Sequence, residues 1–250
     1  MVDKVAVVIP ARFASTRLPG KPLADIGGRP MIVRVLEQAA QADVDHVVVA
    51  TDDQRIYDAV KAHNGSVMMT RSDHVSGTDR VAEVARQLDV DIVVNIQGDE
   101  PFLQPNVIDE AVSPLRQDAS IPMSTLAHSI HTMREVMDPN VVKVVCDLTG
   151  FALYFSRAPI PFDRDAFAEW PHGVQTIPSA MRRHVGIYVY RTEFLQTFSK
   201  LPPSPLEKYE RLEQLRVLEN GYRIRVVETE SGIQDKDLMN WLNARVKYHP

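Results

Sequence analysis

The chain has 250 residues, 44% of them hydrophobic and 24% charged, enough to bury a sizeable core at an ordinary globular composition. Twenty-eight Lys and Arg against 33 Asp and Glu leave a net charge of -5, which excludes the broad basic face that nucleic acid binding needs. A single cysteine, Cys146, excludes an internal disulfide framework and a cysteine-built zinc site, and no stretch reaches the roughly 18 apolar residues of a membrane span.

The opening segment, MVDKVAVVIPAR, lacks the layout of a secretory signal, and the single cysteine suits a reducing cytosol. Val5 to Ile9, His46 to Ala50, Ser66 to Thr70 and Ile92 to Ile96 read as strands apolar on both faces. Between them lie helical patterns: Ile32, Val35, Leu36 and Ala39 after Pro30; Ile56, Ala59 and Val60; and Val81, Val84, Ala85 and Leu88. That alternation predicts βαβ units, hence a parallel sheet with helices on both faces.

In the second half the rhythm changes. Val141 to Cys146 and Phe151 to Phe155, separated by Asp147-Leu148-Thr149-Gly150, predict a hairpin. The stretch from Pro159 to Pro178 mixes prolines with Phe162 and Trp170 and reads as an ordered excursion rather than a linker. His184 to Tyr190 predicts another strand, and Leu206 to Asn220 a helix closed by Gly221. The expected whole is one mixed α/β domain over residues 1–250, with an antiparallel region from about Val141 to Tyr190.

Ligands of open parallel sheets bind beyond the carboxyl ends of the strands, so the loops there hold the candidate chemistry. The first, Pro10 to Pro22, gathers Arg12, Arg17 and Lys21 with Ser15, Thr16 and Gly20, a set suited to phosphate oxygens. It matches neither a GxxxxGK[ST] loop nor a GxGxxG fingerprint. Gln97-Gly98-Asp99-Glu100-Pro101 ends the fourth strand, where a carboxylate suits a divalent cation bridging phosphates, Mg²⁺ being the natural ion; the plainer alternative is a cap on a helix starting near Pro105. In the third loop, Thr70 to Arg80, Ser76 reads as an N-cap or as a contact to a base or sugar edge.

Taken together, IPARFASTRLPGKPL, VATDD, MTRSDHVSGTDR, NIQGDEP, KVV, ALYFSRAPIP, RHVGIYVYR and LEQLRVLENG resemble the 3-deoxy-manno-octulosonate cytidylyltransferases, over about Val5 to Arg225. Sialic acid cytidylyltransferases differ in having RxxSxRxxxKN where Lys21 here precedes Pro22, and sugar-nucleotide pyrophosphorylases carry a GxGTRL-type loop absent here. The resemblance implies a Rossmann-like, mostly parallel sheet of the nucleotide-diphospho-sugar transferase type. It also implies a homodimer built on the antiparallel insertion, and transfer of CMP from CTP to Kdo, an acidic eight-carbon sugar, with pyrophosphate released, for lipopolysaccharide.

By the same resemblance, Arg12, Lys21 and Asp99 are catalytic, and Pro10, Ala11, Ser15, Arg17, Ser76, Gly77, Arg80 and Gln97 join Arg12 and Lys21 around the nucleotide. Arg157, His184, Tyr188, Glu213 and Gln214 match the sugar-binding positions, although without the resemblance Tyr188 reads as packing and Glu213 as a solvated charge. Glu207 and Lys208 read as solvated surface. Asp99 is the expected Mg²⁺ ligand. The family's GVDTPEDL-like segment, with a second metal aspartate, is replaced by Gly232-Ile233-Gln234-Asp235-Lys236-Asp237-Leu238, so Gln234 takes that place without a gap and Asp235 with one. Two alternatives stay open: a cytidylyltransferase for another acidic sugar, such as 8-amino-Kdo or a nonulosonate, and a CTP-binding homologue without turnover.

Overall fold

The computed structural model describes residues 3–14, 20–165 and 177–230. Its elements in order are β1 (Val5–Ala11), a 3₁₀ turn (Lys21–Leu23), α1 (Met31–Ala39), β2 (His46–Thr51), α2 (Gln54–Ala62), β3 (Val67–Met69), α3 (Gly77–Ala85), β4 (Ile92–Asn95) and α4 (Pro105–Gln117). There follow β5 (Met123–Ser129), α5 (Met133–Met137), β6 (Lys143–Cys146), β7 (Ala152–Ser156), β8 (Arg182–Arg191), α6 (Thr192–Phe198), α7 (Pro205–Glu210), α8 (Leu215–Glu219) and β9 (Arg225–Glu228).

These strands form one sheet in the order β3-β2-β1-β4-β8-β5-β9, with the β6–β7 pair attached to β8. Strands β1 to β4 are parallel, as the βαβ rhythm predicts, and β5 and β9 run the same way because β8 is antiparallel to both β4 and β5. β1 shows why its sequence is apolar throughout. Val5, Val7 and Ile9 pack on one side with Ile32 of α1, Ile56 of α2 and Ile108 of α4, whereas Ala6 and Val8 pack on the other with Val81 of α3, Leu195 of α6 and Leu215 of α8. A strand sandwiched between two helical layers has no face to leave polar.

Three expectations need correction. The antiparallel region is not a separate insertion throughout: the hairpin of β6 and β7 is peripheral, but β8 is threaded into the main sheet between β4 and β5. The helix expected over 206–220 is two helices, because Arg211 turns left-handed (φ 53°) and ends α7, after which α8 starts at Leu215. Its closing Gly221 does take the positive φ (78°) that a residue with a Cβ resists. Glu207 is likewise not solvated surface. It completes a capping box with Ser204 and pairs with the buried Arg216 at 2.5 Å.

Candidate active site

The carboxyl ends of β1 and β4 adjoin in the sheet, and the loops leaving them form a cleft of about 260 Å³ lined by Pro10, Ala11, Arg12, Lys21, Gln97 and Asp99 among others. The strands meet closely because Gly98 has no side chain: a Cβ there would lie 3.1 Å from the Pro10 carbonyl oxygen and 3.3 Å from Ile32 Cδ1. Gly20, at φ 75°, donates its N–H to the Phe13 carbonyl at 2.9 Å and returns the chain to Lys21. Lys21 Nζ then meets Asp99 Oδ2 at 2.6 Å across the cleft. Asp99 does not cap α4, whose N-cap is Gln104. Ser15, Arg17, Gln234 and Asp235 lie outside the described residues.

The third loop joins the same site. Ser76 caps α3 through a capping box with Asp79, as its spacing predicts. It also presents its carbonyl oxygen, with that of His74, to Arg12 Nη2 at 3.1 and 2.5 Å, so the loops after β1 and before α3 are one unit. The side chain of His74 is in turn bonded to Glu83 of α3. Gly77 lies against Pro10, to whose Cγ an added Cβ would come within 3.5 Å.

Arg80 has no exposed surface. Its guanidinium donates to Asp52 Oδ2 at 2.8 Å and to the Thr70 hydroxyl, which makes it the post that fixes the loops following β2 and β3. Arg80→Met is expected to cost about 3 kcal/mol in urea unfolding, because Asp52 and Thr70 lose their shared donor.

Beside Asp99, burial and the Asp99 charge push the Glu100 carboxyl up to about 7, against the opposing pull of Arg183 and Lys21. The sign follows from linkage: with a folded pKa above the ordinary 4.5, the stabilisation is complete below the ordinary value and is lost as pH rises through about 7. Glu100→Gln should therefore raise the unfolding temperature relative to the native protein at about pH 8 and leave the two alike at about pH 4. Thermal melts across that range read the difference.

Four of the five positions expected to bind the sugar come together: His184, Tyr188, Glu213 and Gln214. Tyr188, opposite Asn95 of β4, donates to Gln214 Oε1 at 3.0 Å, and His184 Nε2 lies 2.9 Å from the Thr125 hydroxyl. That hydroxyl also lies 2.7 Å from the Ile187 carbonyl and 3.2 Å from that of Val185. Burial holds His184 down to about 3, hence neutral. Glu213 accepts from Thr78 at 2.6 Å, and burial pushes its carboxyl up against the pull of the Thr78 and Ser76 hydroxyls.

Two buried polar atoms here, Gln214 Nε2 and Asn95 Oδ1, have no hydrogen-bond partner among the described residues, and Glu213 Oε1 faces the Arg216 guanidinium at 3.8 Å. Buried polar atoms are rarely left so, and a wall of them suits a polyhydroxylated ligand. Nothing in the sequence marks Asn95, the polar end of an otherwise apolar strand, and only its register opposite Tyr188 betrays it.

Arg157 stands apart from this wall. Its guanidinium donates to the carbonyls of Glu210 at 2.6 Å, Pro139 at 2.8 Å and Arg211 at 3.4 Å.

A basic loop and an acidic strand end facing each other at the carboxyl edge of a mostly parallel sheet define a nucleotidyl-transfer site of the cytidylyltransferase class, and the family model described as cytidylyltransferase matches residues 6–225. Curated 3-deoxy-manno-octulosonate cytidylyltransferases are similar throughout: that of Syntrophotalea carbinolica is 56% identical over 90% of both chains, and that of Solibacter usitatus 54% identical over 92% of this chain and 88% of its own. The chain belongs to the 3-deoxy-manno-octulosonate cytidylyltransferase family. A solved structure of CMP:2-keto-3-deoxy-manno-octonic acid synthetase complexed with CTP superposes with a TM-score of 0.85 at 44% identity, covering 96% of this chain and 97% of that one.

Proposed function

We propose that this protein transfers CMP from CTP to the anomeric hydroxyl of Kdo, releasing pyrophosphate. The observation that carries the reading is the Lys21–Asp99 pair in the cleft between β1 and β4, adjoining a wall of buried, unpartnered polar atoms. The sugar oxygen attacks the α-phosphorus, the bond to the β-phosphate oxygen breaks, and the hydroxyl proton is given up. Two anions have to meet, so positioning and charge neutralisation dominate.

Lys21 is placed to exchange its carboxylate partner for triphosphate oxygens, and Arg12, tied to the His74–Ser76 loop, supplies the second cation. Backbone groups at Pro10, Ala11, Ser76 and Gly77 would read the cytosine edge, with Gln97 nearer the ribose; Arg80 would act by fixing those loops. On the sugar side, the Gln214 amide offers a donor to hydroxyls, and the neutral His184 imidazole lies beside Tyr188.

The donor set also fits Mg²⁺. Asp99 is a half-exposed carboxylate with Glu100 next to it in the chain, and Mg²⁺ favours one or two carboxylates completed by phosphates and water. Bound there, the ion would neutralise developing phosphate charge. Asp99 would hold it, with Asp235, or Gln234 in its place, as the second ligand. β9 is parallel to β5 and so ends at the same edge of the sheet as β4, which brings the chain at Glu228 toward the Asp99 side.

We place the protein in the cytoplasm, where CTP is available, supplying lipopolysaccharide synthesis as a single nucleotidyltransferase domain; no described helix is long and apolar enough to cross a membrane. A homodimer through the β6–β7 hairpin is supported by Leu148 and Leu153, large apolar side chains left exposed there, and sedimentation would read it. The sugar is tested by pyrophosphate release from CTP with Kdo, 8-amino-Kdo and a sialic acid in parallel. Release with Kdo well above the others supports the reading, and preference for either analogue overturns it.

A further inference from the structure

Glu213 and Gln214 reach the sugar wall only because the chain turns sharply just before them. Arg211 is left-handed without being Gly, a conformation that residues with a Cβ disfavour unless their surroundings impose it. Those surroundings are a network rooted in β7. The Glu210 carboxylate accepts from the Ser156 hydroxyl at 2.6 Å and from the Arg157 N–H at 2.9 Å. The Arg157 guanidinium returns to the carbonyls of Glu210 and Arg211, so carboxylate and backbone on both sides of the turn are gripped from one strand end.

The strand end is itself fixed. Lys143, fully buried, donates to the carbonyls of Asp138, Val141 and Arg157 at 2.9, 2.7 and 3.0 Å, and Arg157 adds Pro139. Past the turn, Glu213 meets Thr78 and Gln214 meets Tyr188.

We propose that Glu210 is a positioning residue for the sugar substrate, acting with Ser156 and Arg157 to lock the Arg211 turn and so aim Glu213 and Gln214. Arg157 on this account serves the sugar through the turn and not by contact. The inference rests on the reading of these residues as the sugar wall. Lys21 and Asp99 are held to each other across the cleft, and the turn touches the nucleotide side where Glu213 accepts from the Thr78 hydroxyl at the start of α3.

The test is steady-state kinetics with each substrate varied separately, on the full chain, for Glu210→Ala, Glu210→Gln and Ser156→Ala. Glu210→Ala should raise KM for Kdo about tenfold or more and leave KM for CTP within about twofold. Glu210→Gln keeps one acceptor oxygen and should fall between it and the native protein, and Ser156→Ala should raise KM for Kdo about threefold. A Glu210→Ala protein that melts earlier but keeps the native KM for Kdo overturns the proposal, as does an equal rise in both KM values. Should that variant hold no CTP, Ser156→Ala decides alone by the same criterion. The native rate with Kdo reads the function itself, whereas the ratio of variant to native reads the positioning, so the two fail separately.

Discussion

Lys21→Ala is expected to lower kcat/KM for CTP by about 10³-fold, the largest effect of any single substitution in the first loop. Lys21 is held by the Gly20 turn at the cleft mouth, where its ammonium already sits 2.6 Å from a carboxylate oxygen. A triphosphate arriving there gains a cation that needs little rearrangement, and the leaving pyrophosphate gains charge as the bond breaks, so the loss should fall on turnover as well as on binding. Lys21→Arg should recover only part of it, since a planar guanidinium does not reproduce a compact ammonium on a four-carbon stem. Initial rates over a range of CTP concentrations measure both, and a Lys21→Ala enzyme within about threefold of native would remove this residue from the chemistry.

Asp99→Asn should reduce turnover about 10²-fold to 10³-fold while leaving CTP binding within a few-fold, the opposite split to a substitution in the basic loop. The amide keeps the size and an oxygen but not the charge that would hold Mg²⁺. It also frees Lys21 from its partner, which favours nucleotide binding and separates the two roles. Calorimetric titration with CTP, set beside rates at several Mg²⁺ concentrations, reads the difference. Native Mg²⁺ dependence in the variant would move the ion to other ligands.

The first half of the fold is legible because β1, β4 and most of β2 are buried on both faces and each helix on one, so these strands and α1 to α3 appear as runs and stripes in the sequence, while β3, at the sheet edge, leaves Met69 exposed. β5 escapes that reading. Its MSTLAHS carries Ser124 and Thr125 in a buried strand, where their hydroxyls are spent on the carbonyls of Ala111 and Ile187, and such partners are invisible to periodicity. The break at Arg211 escapes it too, since no glycine marks the left-handed turn and the network that holds it lies more than fifty residues away in the chain.

The site divides the same way. Lys21 and Asp99 come from loops that announce their charge, and the structure pairs them. Arg80 and Arg157 also announce charge, yet one is buried against Asp52 and the other is bound to three carbonyls. A cation's identity is local, but its partner is decided by the fold. Among the described residues, the unpartnered atoms of Asn95 and Gln214 lie at the opposite extreme: their meaning is a missing contact, which no sequence displays.

The most direct measurement is product analysis from purified protein given CTP and Kdo, with Mg²⁺ and with chelator. Equimolar CMP-Kdo and pyrophosphate with Mg²⁺, and neither with chelator, is the predicted result. CTP bound but no CMP-sugar formed under either condition would contradict the account and leave a nucleotide-binding protein without turnover.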